Sequence, residues 1–459
     1  MTSASPSGSD HDDGTTEAEV RAAHRSKLRF LLRSAASLVS TSIVTSALGF
    51  VYWAVAARLF RATDVGQSAT AISAMSLIAP FTVLGFGTVL VKRLPTMVDG
   101  RGRLISTAAV ISGGAGTVVA LLAAFTLPAD FLGLPGIGDD VAITALFAAA
   151  VATQSVGYML DSALLSLIGG AMQLLRNSVQ AVVKLVLLFV LAKVLHELGS
   201  LTIFTSWFIA NVISLAVVII VLIRRYRMTA RMLVPTLTAL RGLHFEAAKH
   251  HLLNIALFTP FFAMPILGNV LLGSRMAGFL FAAWSIAGFL FYVPIALATA
   301  LFASGSRDSS TFLMEFRVTL RYSLLICAVA NLGVLLLGYW VLHIFGADYA
   351  ENARTALTLM CIGGFGLIIK DHHVAVARVT GTVGREAILI GALGLGELVG
   401  AAIGASRAGL TGLAWGWLAA VTLEGLVCGR LVWRAYRGRF QVPVPGGGGG
   451  PDDATATVP

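Results

Sequence analysis

Charge is scarce in this sequence. Only 12% of its 459 residues are Asp, Glu, Lys or Arg, against about 25% in an ordinary soluble protein. A closed soluble globule of this length needs a charged surface that these residues do not supply, so a soluble enzyme with an enlarged core is excluded. Cysteine is sparser still. Cys327, Cys361 and Cys428 all lie inside apolar runs and read as small buried hydrophobes without a disulfide role. There is no Gly-x-x-x-x-Gly-Lys phosphate loop and no His-Glu-x-x-His, and no Cys or His set has metal-ligand spacing. No cofactor or metal is expected. The first 34 residues are mostly polar, which argues against a cleavable signal peptide.

Apolar residues fill the space that charge leaves. They make up 57% of the chain before its 48 glycines are counted. The apolar runs are continuous, and about twice the ten-residue alternation of a membrane barrel. A helical span takes about 20 residues. The expectation is an all-α, polytopic membrane protein of about twelve helices in two pseudo-symmetric six-helix lobes around a central cavity. The spans read as 35–57, 68–91, 104–127, 141–168, 177–195 and 201–223, then 252–272, 277–303, 321–342, 355–377, 387–404 and 410–428. This gives an N-tail 1–34, an N-lobe 35–223, a linker 224–251, a C-lobe 252–428 and a C-tail 429–459 that cannot fold alone.

Lys and Arg set the orientation. With the N-terminus in the cytoplasm, the inner segments hold 24 of the 33 bases and the outer loops five, the other four lying within spans. Both termini are then cytoplasmic. The net charge of +10 is spread between spans rather than gathered on a soluble face, so nucleic acid is not the expected partner. Arg21, Arg25, Lys27, Arg29 and Arg33 alternate with Leu28, Phe30, Leu31 and Leu32. That stretch reads either as an interfacial helix on anionic lipid or as a solvated positive flank. The two halves also echo each other. Asp64-Val65-Gly66 running to Pro80 matches Met276-Ala277-Gly278 running to Pro294, at an offset of 212 to 214 residues. Repeats of this kind build transporters around a central site.

Polar groups inside spans mark functional candidates. Gln154, Tyr158 and Asp161 share a face of the fourth span. Gln173, Asn177, Gln180 and Lys184 form a stripe on and just before the fifth, flanked by Arg176. Asp161 and Lys184 lie 11 to 12 residues from the middle of the hairpin between them, so they could pair as a static tie. The other reading is a cavity wall where Lys184 meets an anionic substrate and Asp161 tunes it. In the tenth span, Lys370-Asp371-His372-His373 and Arg378 read as a phosphate-attracting cytoplasmic vestibule around Lys370, His373 and Arg378, or as a solvated helix end. Glu397 and Glu424 could carry a coupling proton, as could Asp161, or simply be buried beside a polar partner. Gly396, Gly400 and Gly404 face Gly412 and Gly416 across the last hairpin and predict close packing. Arg58 ends a first-span stripe of Ser37, Thr41, Thr45 and Tyr52. Asp139-Asp140 reads as solvated loop. The longest outer loop has about 13 residues, which weighs against a membrane glycosyltransferase.

The stretch Leu48-Gly49-Phe50-Val51-Tyr52-Trp53, with Ala57-Arg58-Leu59-Phe60, Val65-Gly66, Leu84-Gly85-Phe86-Gly87-Thr88 and the hairpin at Arg176-Asn177, resembles the polysaccharide biosynthesis (O-antigen flippase type) proteins. These belong to the multidrug/oligosaccharidyl-lipid/polysaccharide (MOP, MATE-like) exporter superfamily. The resemblance implies a V-shaped pair of six-helix lobes in the bacterial cytoplasmic membrane. It implies a non-enzymatic flippase that moves a polyprenyl-diphosphate-linked oligosaccharide outward by alternating access. Membrane lipids, and glycosyltransferases or a polymerase of the same pathway, would be its partners. Related lipid II flippases share an arginine matching Arg58, which lines their cavity. They carry a second arginine where this chain has Tyr52, and usually more spans. The substrate set implied is Lys184, Arg58, Arg176, Asp161, Tyr52, Gln154, Tyr158, Asn177 and Gln180. The alternatives are a cation-coupled multidrug (MATE-type) exporter centred on Asp161, a lipid II-type flippase, a membrane glycosyltransferase or ligase, and a scaffold subunit.

Overall fold

The computed structural model describes residues 47–97, 100–226, 234–236, 246–305 and 311–438. The basic N-terminal stretch, the polar residues Ser37, Thr41 and Thr45, most of the linker and residues 439–459 of the C-tail lie outside them; the tail's first residues, up to Tyr436, continue the last helix rather than forming a loose tail. Among the described residues there is no strand. The helices are α1 (Ala47–Leu59), α2 (Ala62–Thr82), α3 (Phe86–Arg93), α4 (Arg101–Thr126), the short α5 (Ala129–Leu132), α6 (Val141–Leu167), α7 (Gly170–Val194) and α8 (Ser200–Tyr226). They continue with α9 (Glu246–Leu272), α10 (Ser274–Gly305), α11 (Phe312–His343), α12 (Ala347–Thr380) and α13 (Val383–Tyr436). Nine of them are long and apolar enough to cross a membrane. α13 is two crossings, because Ala408 and Gly409 leave helical geometry and fold it back on itself. With α1 and the α2–α3 pair, the chain has the twelve crossings expected.

Local chemistry explains the ends. The Asp140 side chain accepts from the backbone N–H groups of Ala142 and Ile143 at 2.7 and 3.1 Å and so caps α6; it is a helix cap more than a free loop acid. The second span is not continuous. Leu84 (φ 52) and Gly85 (φ 78) take left-handed geometry and separate α2 from α3, a conformation that glycine adopts at no steric cost. The fifth span begins seven residues earlier than its apolar run suggests, because Gly169 turns the chain and α7 starts at Gly170.

Most helix packing falls either among α3–α8 or among α9–α13. In the first set α4 packs on α6 and α7 on α8; in the second, α13 packs on α12 and α9, and α12 on α10 and α11. α2 joins the sets, lying against both α9 and α10. Its crossing with α10 is reciprocal. A Cβ on Gly66 would collide with the Ser274 carbonyl, and one on Gly278 with the Ala62 carbonyl. Both pairs are related by the 212-residue offset, so the repeated glycines touch at the pseudo-symmetry axis. Trp53 of α1 packs edge-on to Phe281 of α10 beside this crossing, with ring centroids 4.4 Å apart. The arms of α13 meet as the glycine spacing predicts, Gly400 against Gly416 and Gly404 against Gly412.

Candidate functional site

Two buried charge clusters stand out, one in each half. The first lies between α6, α7 and α8. The Arg176 guanidinium donates to both Asp161 carboxylate oxygens at 2.7 Å, to Asn177 Oδ1 at 3.1 Å and to Asn211 Oδ1 at 3.4 Å. Arg176 is only 4% exposed. This fork-to-fork pair is the strong form of an ion pair. Tyr158 sits beside Gln154 and Ser76 on the same wall, and Gln154, Tyr158, Asn177 and Gln180 are half-buried.

Asp161 does not pair with Lys184. The hairpin turns at Gly169 rather than a few residues later, so Lys184 lies eight residues beyond Arg176 along α7, about 12 Å deeper along the helix axis. The depth match drawn from the sequence fails for that reason alone. Lys184 is 6% exposed, and its ammonium sits 3.7 Å from the Trp207 ring centroid and 4.9 Å from that of Tyr52. No carboxylate among the described residues pairs with it. Contact with aromatic faces returns about 2 kcal/mol when desolvated, while burying a cation costs several. Lys184 is therefore a buried cation short of a counter-charge. Tyr52 forms the floor beneath it. It is fully buried, and its hydroxyl donates to the Ile203 carbonyl at 2.9 Å, so it supports Lys184 rather than lining open space.

Arg58 stands elsewhere. It is exposed and donates from Nε to the Ile344 carbonyl at 2.8 Å and from Nη2 to the His343 carbonyl. Those oxygens end α11, where unpaired carbonyls and the helix dipole attract a cation. Arg58 thus ties the halves together at a helix terminus.

The second cluster lies in the C-terminal half. Lys370 is buried, because α12 continues to Thr380 and leaves it three turns inside. Its ammonium lies 2.8 Å from Glu397 Oε1 and 3.0 Å from Glu424 Oε2. Trp417 Nε1 donates to the other Glu397 oxygen at 2.7 Å. His373 is also buried, 2.7 Å from Glu386. Lys370 is thus buried yet borders a cavity, whereas His373 is not part of that cavity's lining. Arg378 does face space. It joins Lys370, Asp371 and Glu397 in the wall of a cavity of about 310 Å³ between α9, α10, α12 and α13, otherwise faced by Phe258, Phe261, Phe291 and Trp417. The cavity reaches Asn254 and Phe302, toward the helix ends remote from the Gly66–Gly278 crossing. No group of three or more potential metal ligands occurs among the described residues.

Sequence reasoning missed the partners more than the groups. Glu386, Trp207 and Trp417 carried no signal of their own. The Lys370 triad carried a weaker one: Lys370 and Glu397 lie 11 and 15 residues from the Gly381–Thr382 turn, and Glu397 and Glu424 lie 11 and 15 from the Ala408–Gly409 turn, so depth matching brings them together only to within about one helical turn.

The Arg176–Asp161 pair makes a direct prediction. Asp161→Ala strands a buried guanidinium and should lower stability by about 3–5 kcal/mol, read as a lower thermal unfolding midpoint. Asp161→Ala with Arg176→Leu should recover most of that loss. A single variant as stable as wild type would show that the pair is solvated.

Neither a protein-family model nor a curated protein sequence matches this chain. Solved structures do. A point mutant of the VcmN MATE transporter of Vibrio cholerae superposes with a TM-score of 0.61 at 15% identity, covering 90% of this chain and 98% of the other. A MOP-superfamily transporter from Pyrococcus furiosus gives 0.64 at 13%, covering 88% and 95%. An inward-facing MATE transporter of the same superfamily gives 0.58 at 13%, covering 87% and 95%. Across nearly its whole length, this chain has the fold of the MATE transporters of the MOP superfamily.

Proposed function

We propose that this chain is a flippase for a polyprenyl-diphosphate-linked saccharide in a bacterial cytoplasmic membrane. It would carry the headgroup from the cytoplasmic to the outer leaflet by alternating access, with both termini in the cytoplasm. The observation that carries the reading is Lys184, buried against Trp207 with no carboxylate partner. A diphosphate headgroup cannot cross hydrocarbon unsolvated, and it supplies the charge that Lys184 lacks. The half-buried Gln154, Tyr158, Asn177 and Gln180 offer hydrogen bonds to sugar hydroxyls along the same half.

Charge also weighs against a cation-coupled drug exporter centred on Asp161, because Asp161 is held by Arg176 at 2.7 Å. The transporter from Pyrococcus furiosus is itself described as having a binding pocket of reversed polarity that suggests a different function. Transmission to the other half has a route in the aromatic chain Lys184–Trp207–Trp53–Phe281, which ends on α10 beside the glycine crossing. A headgroup at Lys184 would disturb that chain and favour parting of the halves at this end, which lies outside in the proposed orientation.

Reconstitution tests the reading. In liposomes holding a fluorescent polyprenyl-diphosphate-linked saccharide, the purified chain should speed its transfer between leaflets. Unchanged transfer, together with extrusion of lipophilic cations down a cation gradient, would replace the flippase with the exporter.

A further inference from the structure

We propose that Lys370, Glu397 and Glu424 form a proton-binding site, in which the two glutamates share one exchangeable proton and the lysine ammonium fills the place a metal cation would take. The argument is a count of charge in a closed space. Two carboxylates from the two arms of α13 converge on one ammonium from α12, at 2.8 and 3.0 Å. Glu424 is fully buried, and no hydrogen bond from another donor reaches either of its oxygens. With both acids ionised the triad carries one uncompensated negative charge, which costs several kcal/mol in such surroundings. A buried group relieves that cost by taking up a proton.

The neighbouring charges do not relieve it. On α12, Arg378 faces Asp371 and donates to Asn254 of α9. His373 is engaged with Glu386 of the first arm of α13. Cys428 on the second arm is a free thiol. On α11, Glu315 is buried and pairs with Thr311. On α9, Lys249 is exposed and His251 lies at the helix start, beside Pro80. Each nearby cation therefore has its own acid or lies apart, and the extra negative charge stays on the triad.

Protonation adds H⁺ to a carboxylate oxygen of Glu424 or Glu397, Lys370 keeps its three protons, and the triad goes from a net −1 to neutral. Access runs through the cavity of about 310 Å³, whose wall includes Lys370, Glu397 and Trp417. A sodium ion would need the same carboxylate oxygens that the ammonium already holds. The site's use in transport rests on the function proposed above, but its existence does not.

Infrared spectroscopy of the purified full-length protein reads the proton directly. At neutral pH a band from a protonated carboxylic acid should be present. It should be weakened or lost in the isosteric Glu424→Gln variant and unaffected by Glu351→Gln, an exposed acid remote from the triad. Wild-type thermal stability should be the same in sodium and in choline chloride, while Lys370→Ala should be destabilised and regain stability with methylammonium. Absence of the band, its persistence in both Glu424→Gln and Glu397→Gln, or stabilisation of wild type by sodium would overturn the proposal. The sodium comparison needs no variant, so poor folding of a mutant leaves a decisive measurement. A protein that shows the band yet fails to move the saccharide would refute the flippase reading and leave the proton site standing.

Discussion

Leucine at Gly66 or Gly278 is expected to reduce transport at least fivefold while the protein still reaches the membrane. At this crossing α2 and α10 touch backbone to backbone, and each glycine's missing Cβ would collide with a carbonyl of the other helix. Carbonyls cannot turn aside as a flexible side chain can, so the helices must move apart. Overpacking of this kind costs about 1–3 kcal/mol. Spent on one of two conformations, that is roughly a 5- to 150-fold change in their ratio. Alternating access needs both conformations, and the substitution penalises the one with the halves together at this end. Surface glycan in cells that depend on the chain measures the loss, with membrane abundance measured in parallel. A cysteine at Phe281, which packs on Trp53 beside the crossing, should become more reactive to an impermeant thiol reagent in the Gly66→Leu background. Gly114→Leu is the control, since nothing lies within 4 Å of its Cβ position. Normal glycan and unchanged reactivity in both glycine variants would remove the crossing from the transport cycle.

Lys184→Ala should abolish transport of the anionic lipid outright. The other cations named for the headgroup in this half are already engaged, and Arg378 lies in the other half. Arg176 is committed to Asp161, Lys370 to two glutamates, and Arg58 to the end of α11. Hydrogen bonds to a charged group contribute about 1.5–3 kcal/mol, so loss of the ammonium should weaken headgroup binding roughly 10- to 150-fold. Lys184→Arg should restore part of the function, because the charge returns while the compact fit over Trp207 does not. Stability should move the other way. Removing a buried cation without a partner relieves a desolvation cost, so Lys184→Met should unfold at a temperature no lower than wild type. A variant that transports normally would show that Lys184 is a structural lysine resting on Trp207 and Tyr52.

Those outcomes turn on the part of the molecule that the sequence conveyed least well. Twelve crossings and the closely packed last hairpin follow from apolar run length and small-residue spacing, which are local properties; the echo between the halves showed the repeat but not the contact between its glycines. The identity of charge partners is not local. Asp161 was matched to Lys184 by counting from a turn placed a few residues too late, and Gly169 moved the register enough to give it to Arg176. Lys370 sits in a run of four polar residues that reads as a vestibule or a solvated helix end, but α12 runs to Thr380, three residues past the expected span, and the lysine's partners Glu397 and Glu424 come from other helices. Arg58 resembles a cavity arginine in its sequence context, but the orphaned carbonyls of α11 lie within its reach. In each case the apolar pattern located the helix, and the exact turn decided which charges could meet.

The most direct measurement is the affinity of the purified protein for a polyprenyl diphosphate, with the matching polyprenyl alcohol as reference. The account predicts that wild type prefers the diphosphate and that Lys184→Gln loses that preference by tenfold or more, about 1.4 kcal/mol, with binding of the alcohol unchanged. Equal affinity of wild type and Lys184→Gln for the diphosphate would contradict it.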